Sequence, residues 1–198
     1  MVTTMKKKFL LAIIALVMAL TCLAACSNYA STLQKVQSLF NVDYSEVVVN
    51  IDTTTSGITL NGNYTLTFND GKTTVEYAFD KLNELSDDGN NADGYKSRVT
   101  GTAVVQNGQI VEGNVKLPDA VDFSGISFKQ AFFANYTITG AKFEADVTNP
   151  RGFTGNSDFV CSKMHVKVLY TQEAIGTMVI TYVSEGGSDV SITYSFTK

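Results

Sequence analysis

The sequence predicts a mainly β domain: an antiparallel meander forming a curved sheet or open barrel, with one N-terminal helix. Three observations carry this prediction. Apolar residues recur at every second position through most of the chain after Ser45. Short turns rich in Gly and Asn separate these runs. No helical period lies between successive strand patterns, so βαβ spacing is absent and the sheet should be antiparallel. A two-sheet sandwich satisfies the same pattern and stays open as the alternative.

The helix comes first. Tyr29, Leu33, Val36 and Phe40 are spaced four, three and four apart, which is one stripe on an α-helix. Ser31 with Gln34 three positions on fits a capping box. After Asn41 the period drops to two. Val47, Val49 and Ile51 open the pattern. Ile58, Leu60, Tyr64, Leu66 and Phe68 continue it, with Thr59, Asn61, Asn63, Thr65 and Thr67 between them. Asn69-Asp70-Gly71 supplies a tight turn, and Val75, Tyr77 and Phe79 resume the alternation, so 58–68 and 73–80 read as a hairpin. Val99, Ala103 and Val105 precede Asn107-Gly108, and Ile110 and Val111 follow, a second hairpin. Tyr136, Ile138, Phe143 and Val147 give a strand pair bent at Gly140. Met164, Val166, Val168 and Tyr170 make a further strand. Ile175, Val179 and Val183 alternate with Thr177 and Thr181, but Met178, Ile180 and Tyr182 make the opposite face apolar too. Glu185-Gly186-Gly187-Ser188 is a turn, and Val190, Ile192, Tyr194 and Phe196 end the chain. The total is about nine or ten strands.

Three segments interrupt this meander: the acidic loop 86–94, the stretch Phe123 to Tyr136, and a loop marked by Pro150, Gly152 and Gly155. Nothing divides the body into two domains.

Composition excludes several functions. Of 198 residues 44% are hydrophobic, 11% aromatic and only 17% charged, which does not suit a disordered chain. Three cysteines cannot make a disulfide-dense scaffold. A net charge of −4 lacks the basic footprint of a nucleic-acid binder.

The first residues are an address. Lys6, Lys7 and Lys8 precede an uncharged run from Phe9, and Thr21-Cys22-Leu23-Ala24-Ala25-Cys26 follows, the layout of a secretory signal. Met5 can serve as the start, since Met1 to Thr4 add nothing to that layout. Phe9 to Ala25 is 17 uncharged residues, at the lower limit of the about 17–25 needed to span a bilayer. Leu23-Ala24-Ala25-Cys26 resembles the lipobox of bacterial lipoprotein precursors. Cys22 does not fit that pattern, because Leu20 stands where a small residue is wanted. The resemblance implies a signal peptide over 1–25, cleavage before Cys26, and a diacylglyceryl group on the Cys26 thiol. A single lipid-anchored β domain, 26–198, would then sit on the outer face of a bacterial membrane.

That domain would carry 12 Lys and Arg against 19 Asp and Glu, a charge of −7. An acidic body gains nothing from an anionic membrane surface. Acyl chains, at about 0.8 kcal/mol per buried methylene, must hold it there. The helix begins soon after Cys26, so the tether is short. With Cys26 acylated, Cys161 has no partner for an intrachain disulfide. In element order, a helix leading into a curved meander also resembles the open barrels of lipoprotein-carrier and lipocalin-like proteins, without any shared motif.

Candidate chemistry is sparse. His165, the one histidine, lies between Lys163 and Lys167 on the polar side of its strand and reads as a solvated residue without an orienting partner. Cys161 reads as a small buried hydrophobe, too far along the strand to pair with His165. Asp87, Asp88, Asn90, Asn91 and Asp93 before Gly94 match an EF-hand loop only in part: Gly89 replaces the first ligand and Thr100 the last. Glu76 and Asp80 are strand-borne acids with no fixed separation. No metal set, cofactor motif, phosphate loop or nucleophile elbow is present. The sequence therefore predicts a non-enzymatic protein, either a lipid-anchored envelope or surface protein with a binding or structural role, or a carrier or sensor of a lipid or other apolar small molecule. For the second role Phe123, Phe128, Phe132, Phe133 and Tyr136 are the candidate ligand contacts; otherwise they plug the core.

Overall fold

A computed structural model describes residues 29–82 and 96–198. The signal segment 1–25, Cys26 and the acidic loop 86–94 lie outside the described residues.

The expected architecture is present: an open, ten-stranded antiparallel sheet with one N-terminal helix. Helix α1 spans 29–40 and is followed by β1 (Glu46–Thr55), β2 (Ile58–Asn69), β3 (Lys72–Leu82), β4 (Lys96–Gln106) and β5 (Gln109–Glu112). Beyond a long connection come β6 (Phe133–Thr139), β7 (Lys142–Val147), the short helix α2 (Pro150–Thr154), β8 (Cys161–Tyr170), β9 (Ile175–Ser184) and β10 (Asp189–Thr197). The strand order is β5-β4-β3-β2-β1-β10-β9-β8-β7-β6. Two five-stranded meanders thus meet where β1 pairs with β10, Val49 opposite Tyr194. The connection 113–132 must carry the chain from one edge of the sheet to the other.

Turn chemistry sets the registers. Asp70-Gly71 and Asn107-Gly108 both take left-handed backbone at two successive residues, which is the hairpin turn whose twist matches that of the strands. Ser56-Gly57 makes the same turn between β1 and β2.

One face of the sheet is covered. Val47, Val49, Tyr64, Leu66, Val75, Phe143, Ala145, Val166, Val168, Ile192, Tyr194 and Phe196 point into the core, as the alternation predicted. Tyr29, Leu33, Val36 and Phe40 of α1 are all buried against them, and so is Leu39. The helix is already formed at Tyr29, so Ser31 stands inside it and is not its N-cap. Tyr44 locks the helix to the sheet: its hydroxyl donates to the Leu39 carbonyl at 2.7 Å and accepts from the Ile175 amide at 2.9 Å. Gln37 fixes the connection, its side-chain oxygen accepting from the Phe128 amide at 2.7 Å.

Two local expectations need correction. In β9 Ile175 is buried as expected, but beyond it the inward residues are Met178, Ile180 and Tyr182, while Val179 and Val183 face outward. Two apolar faces left the parity open, and the register shift at Leu169/Tyr170 against β9 sets it. The segment at Pro150 is a helical turn. Asn149 caps it by accepting from the Gly152 amide at 3.0 Å, Pro150 supplies a preset φ, and Gly155 ends it with φ 71°. Phe153 of this turn is fully buried.

Candidate functional site

The core does not fill the covered face. α1 packs over one end of it, and over the other end lies an open cavity of about 880 Å³. Its lining includes Phe79 on β3 and Met164 on β8, five strand spacings apart, or about 24 Å in a flat sheet. The sheet therefore curls around it.

The floor is built by the inward alternation of six strands: Ile51, Leu60, Tyr64, Phe79, Met164, Ile180, Tyr182, Val190, Ile192 and Tyr194. Gly62, in the lining, helps explain why there is room, and Gly101 repeats its arrangement outside the lining. A Cβ at Gly62 would meet the Tyr64 ring at 2.8 Å, and one at Gly101 would collide with the Tyr77 hydroxyl. Each tyrosine therefore lies along the sheet across a glycine instead of standing up into the space. Tyr64 stacks beside Phe79 with centroids 6.3 Å apart, and Phe79 adjoins Tyr77 at 5.8 Å.

The wall opposite is formed by Pro118 to Ile126 of the connection and Thr154 to Phe159 after α2. The two segments touch backbone to backbone. A Cβ at Gly125 would lie 2.7 Å from the Thr154 carbonyl oxygen, and one at Gly155 would lie 2.6 Å from the Gly125 oxygen. The Tyr194 hydroxyl donates to the Ala120 carbonyl at 3.0 Å and holds the wall to the floor. Burial first, then the neighbouring Tyr182 and Asp122, raise the Tyr194 phenol, which stays neutral. Phe159 closes the far corner edge-on against Tyr182, centroids 5.2 Å apart.

The five aromatic residues singled out from the sequence lie elsewhere. None lines this cavity. Phe128 and Phe133 are buried and pack together with Phe143 and Phe153. Phe123 sits edge-on to Phe40, Phe68, Tyr194 and Phe196. Phe132 covers Gly152, where a Cβ would be 2.7 Å from its ring. Tyr136 stacks flat on Tyr29, centroids 3.5 Å apart. Burial and Tyr136 push the Tyr29 phenol up to about 12, and its hydroxyl is buried without a hydrogen-bond partner among the described residues. These side chains join helix, connection and sheet; the cavity lies beyond them.

His165 is not the lone solvated group that its strand parity suggested. Its Nδ1 is 2.9 Å from Asp146 and its Nε2 is 3.2 Å from Glu144, both on β7. Lys142 pairs with Glu144 at 2.7 Å, and Asn135 donates to Asp146 at 2.8 Å. Hydrogen bonds from Lys142 and His165 lower Glu144, and those from His165 and Asn135 lower Asp146. The Asp146↔His165 register creates this network, and a single strand's sequence does not reveal a register. It lies on the outer face, away from the cavity. Among the described residues no group of His, Cys, Asp and Glu could hold a metal ion. Burial raises the Cys161 thiol, which disfavours a nucleophilic thiolate.

Asp80 stands at the cavity's edge. Arg98 at 2.9 Å, Lys96 at 3.0 Å and the Asn61 amide at 3.0 Å all engage its carboxylate. Hydrogen bonds from Arg98, then Lys96, then Asn61 hold it far below the usual carboxylate range. A lowered carboxylate adds stability above its unfolded-state pKa of about 4, and that stability is lost as pH falls through the lower folded value. Asp80→Asn should therefore weaken the fold at pH 7 and flatten the fall in urea midpoint between about pH 4 and pH 2. An unchanged acid profile would show that the Asp80 pairs add nothing to stability.

No protein-family model matches the chain, and no curated protein matches it. Among solved structures it is similar to the dehydratase domain from the terminal module of the rifamycin polyketide synthase, at TM-score 0.22 and 12% identity, over 77% of this chain and 74% of that one. It is also similar to an N-terminal dehydratase from the difficidin assembly line, at TM-score 0.15 and 6% identity, over 84% and 82%. Likeness at these scores assigns neither fold nor activity.

Proposed function

We propose that this chain is a lipid-anchored envelope protein of bacteria whose β domain holds an amphiphile or other apolar small molecule without transforming it. The observation that carries the binding role is the cavity. About 880 Å³ within a curled sheet, floored by aliphatic and aromatic side chains and rimmed by polar ones, has the size and lining of a small-molecule site. The anchor rests on Leu23-Ala24-Ala25-Cys26 and on the acidic balance of residues 26–198. No helix among the described residues is long and apolar enough to cross a membrane. The absence of chemistry rests on placement: His165 and its carboxylates face away from the cavity, and Cys161 does not line it.

A neutral apolar fluorophore such as Nile red tests the binding role. Ile192 points into the cavity from β10, and Ile192→Trp should obstruct its floor with an indole ring and weaken binding at least about tenfold. Leu169→Trp, at an exposed position that does not line the cavity, is the control and should bind as the parent does. Equal binding by all three proteins, or none by the parent, would refute the assignment of the cavity as the ligand site.

A further inference from the structure

The charges around the cavity narrow what it can hold; this step rests on the cavity being a ligand site. Among the described residues its lining contains no lysine, arginine or histidine, and it contains three aspartates. They are not equivalent. Asp80 is matched twice, by Lys96 and Arg98. Neither of those two cations lines the cavity, and both are bound to Asp80. Asp119 and Asp122, on the covering wall, have no cation within ion-pair distance among the described residues.

The two unmatched carboxylates are also only half used. Asp122 Oδ1 accepts from the Ser124 amide at 3.1 Å and from the Ser124 hydroxyl at 2.6 Å. Asp119 Oδ2 accepts from the Asn156 side chain at 3.4 Å. The other oxygen of each lies outside these bonds. Both residues are exposed, so they stand at the mouth and not in the floor. Behind them are the rings of Tyr182, Tyr194, Phe159, Tyr64 and Phe79. The charge of Asp119 reaches Tyr182 and that of Asp122 reaches Tyr194, each adding to the effect of burial on that phenol.

We infer that the ligand is an amphiphile with a cationic end, an amine or a quaternary ammonium, held at the mouth by Asp119 and Asp122 while its apolar body lies on the aromatic floor. Aromatic faces carry negative electrostatic potential and attract such cations. A fatty-acid anion would place its own carboxylate beside two unneutralised ones and find no free cation in the lining. The charge of −7 on residues 26–198 adds a field of the same sign. The rim is wet, so each carboxylate contributes modestly, and the two together should favour cation over anion by about tenfold.

The test uses the protein extracted from its membrane into nanodiscs of an uncharged glycolipid, which carries no ammonium group to compete, with empty discs subtracting partition. Octyltrimethylammonium, octyl glucoside and octanoate share one tail length and differ in charge. The expected order of affinity is cation, then neutral, then anion, with about tenfold between the extremes at low salt and less at high salt. Asp119→Asn combined with Asp122→Asn should bring cation and anion within about twofold of each other and leave octyl glucoside unchanged. Both positions are exposed, and a thermal melt of the double variant confirms that it folds. Octanoate binding as tightly as the cation overturns the inference and leaves the cavity as a ligand site. A cation preference that survives the double variant also overturns it. Failure of all three probes to bind overturns the inference together with the reading of the cavity.

Discussion

Phe196→Ala is expected to lower the stability of the domain by about 3–5 kcal/mol. Phe196 is buried on β10, a central strand, and its ring meets Phe40 of α1, Tyr44 of the following turn and Phe123 of the connection. One deletion therefore opens a void where helix, crossing segment and sheet converge. The loss has two sources, the apolar area returned to water and the cavity that close-packed neighbours cannot refill. Urea unfolding followed by tyrosine fluorescence, since there is no Trp, reads the shift in midpoint. A loss below about 1 kcal/mol would mean that β10 does not present Phe196 to the core.

Cys26→Ser is expected to abolish the lipid anchor. A serine hydroxyl cannot take the place of the thiol to which the lipoprotein reading assigns the diacylglyceryl group, and a domain of charge −7 would have no electrostatic substitute for acyl chains. The protein should appear as uncleaved precursor or in the soluble fraction, with intact mass lacking the lipid. Membrane retention at unchanged mass would defeat the anchor assignment and leave the cavity argument standing.

Much of the fold is legible because local chemistry and global pairing agree. Asp70-Gly71 and Asn107-Gly108 announce hairpins, and the residues between them alternate with the pleat. The stripe Tyr29, Leu33, Val36 and Phe40 is a helix face in sequence and in space. Ser56-Gly57 makes the same turn with a weaker signal, because Ser is not a favoured left-handed residue. The parity of β9 was hidden, since Val179 and Val183 are as apolar as Met178 and Ile180 and only the register against β8 decides between them.

The site is far less legible. Phe123, Phe128, Phe132, Phe133 and Tyr136 announce apolar density, and density alone does not distinguish a plug from a lining. The cavity arises from residues as distant as Ile51 and Ile192, which face each other only because the first and last strands pair. Gly62 lines the cavity and leaves room for the Tyr64 ring to lie flat beside it, an arrangement of side chains that the alternation does not reveal. The His165 network depends on β7 standing beside β8. Each of these is a fact of register, which a linear pattern does not contain.

Native mass spectrometry of the protein released gently from bacterial membranes tests the central claim most directly. The account predicts one non-covalent amphiphile per chain, strongly depleted when Ile192→Trp obstructs the cavity floor. A parent protein with no such adduct, or an adduct equally abundant on the Ile192→Trp variant, would contradict it.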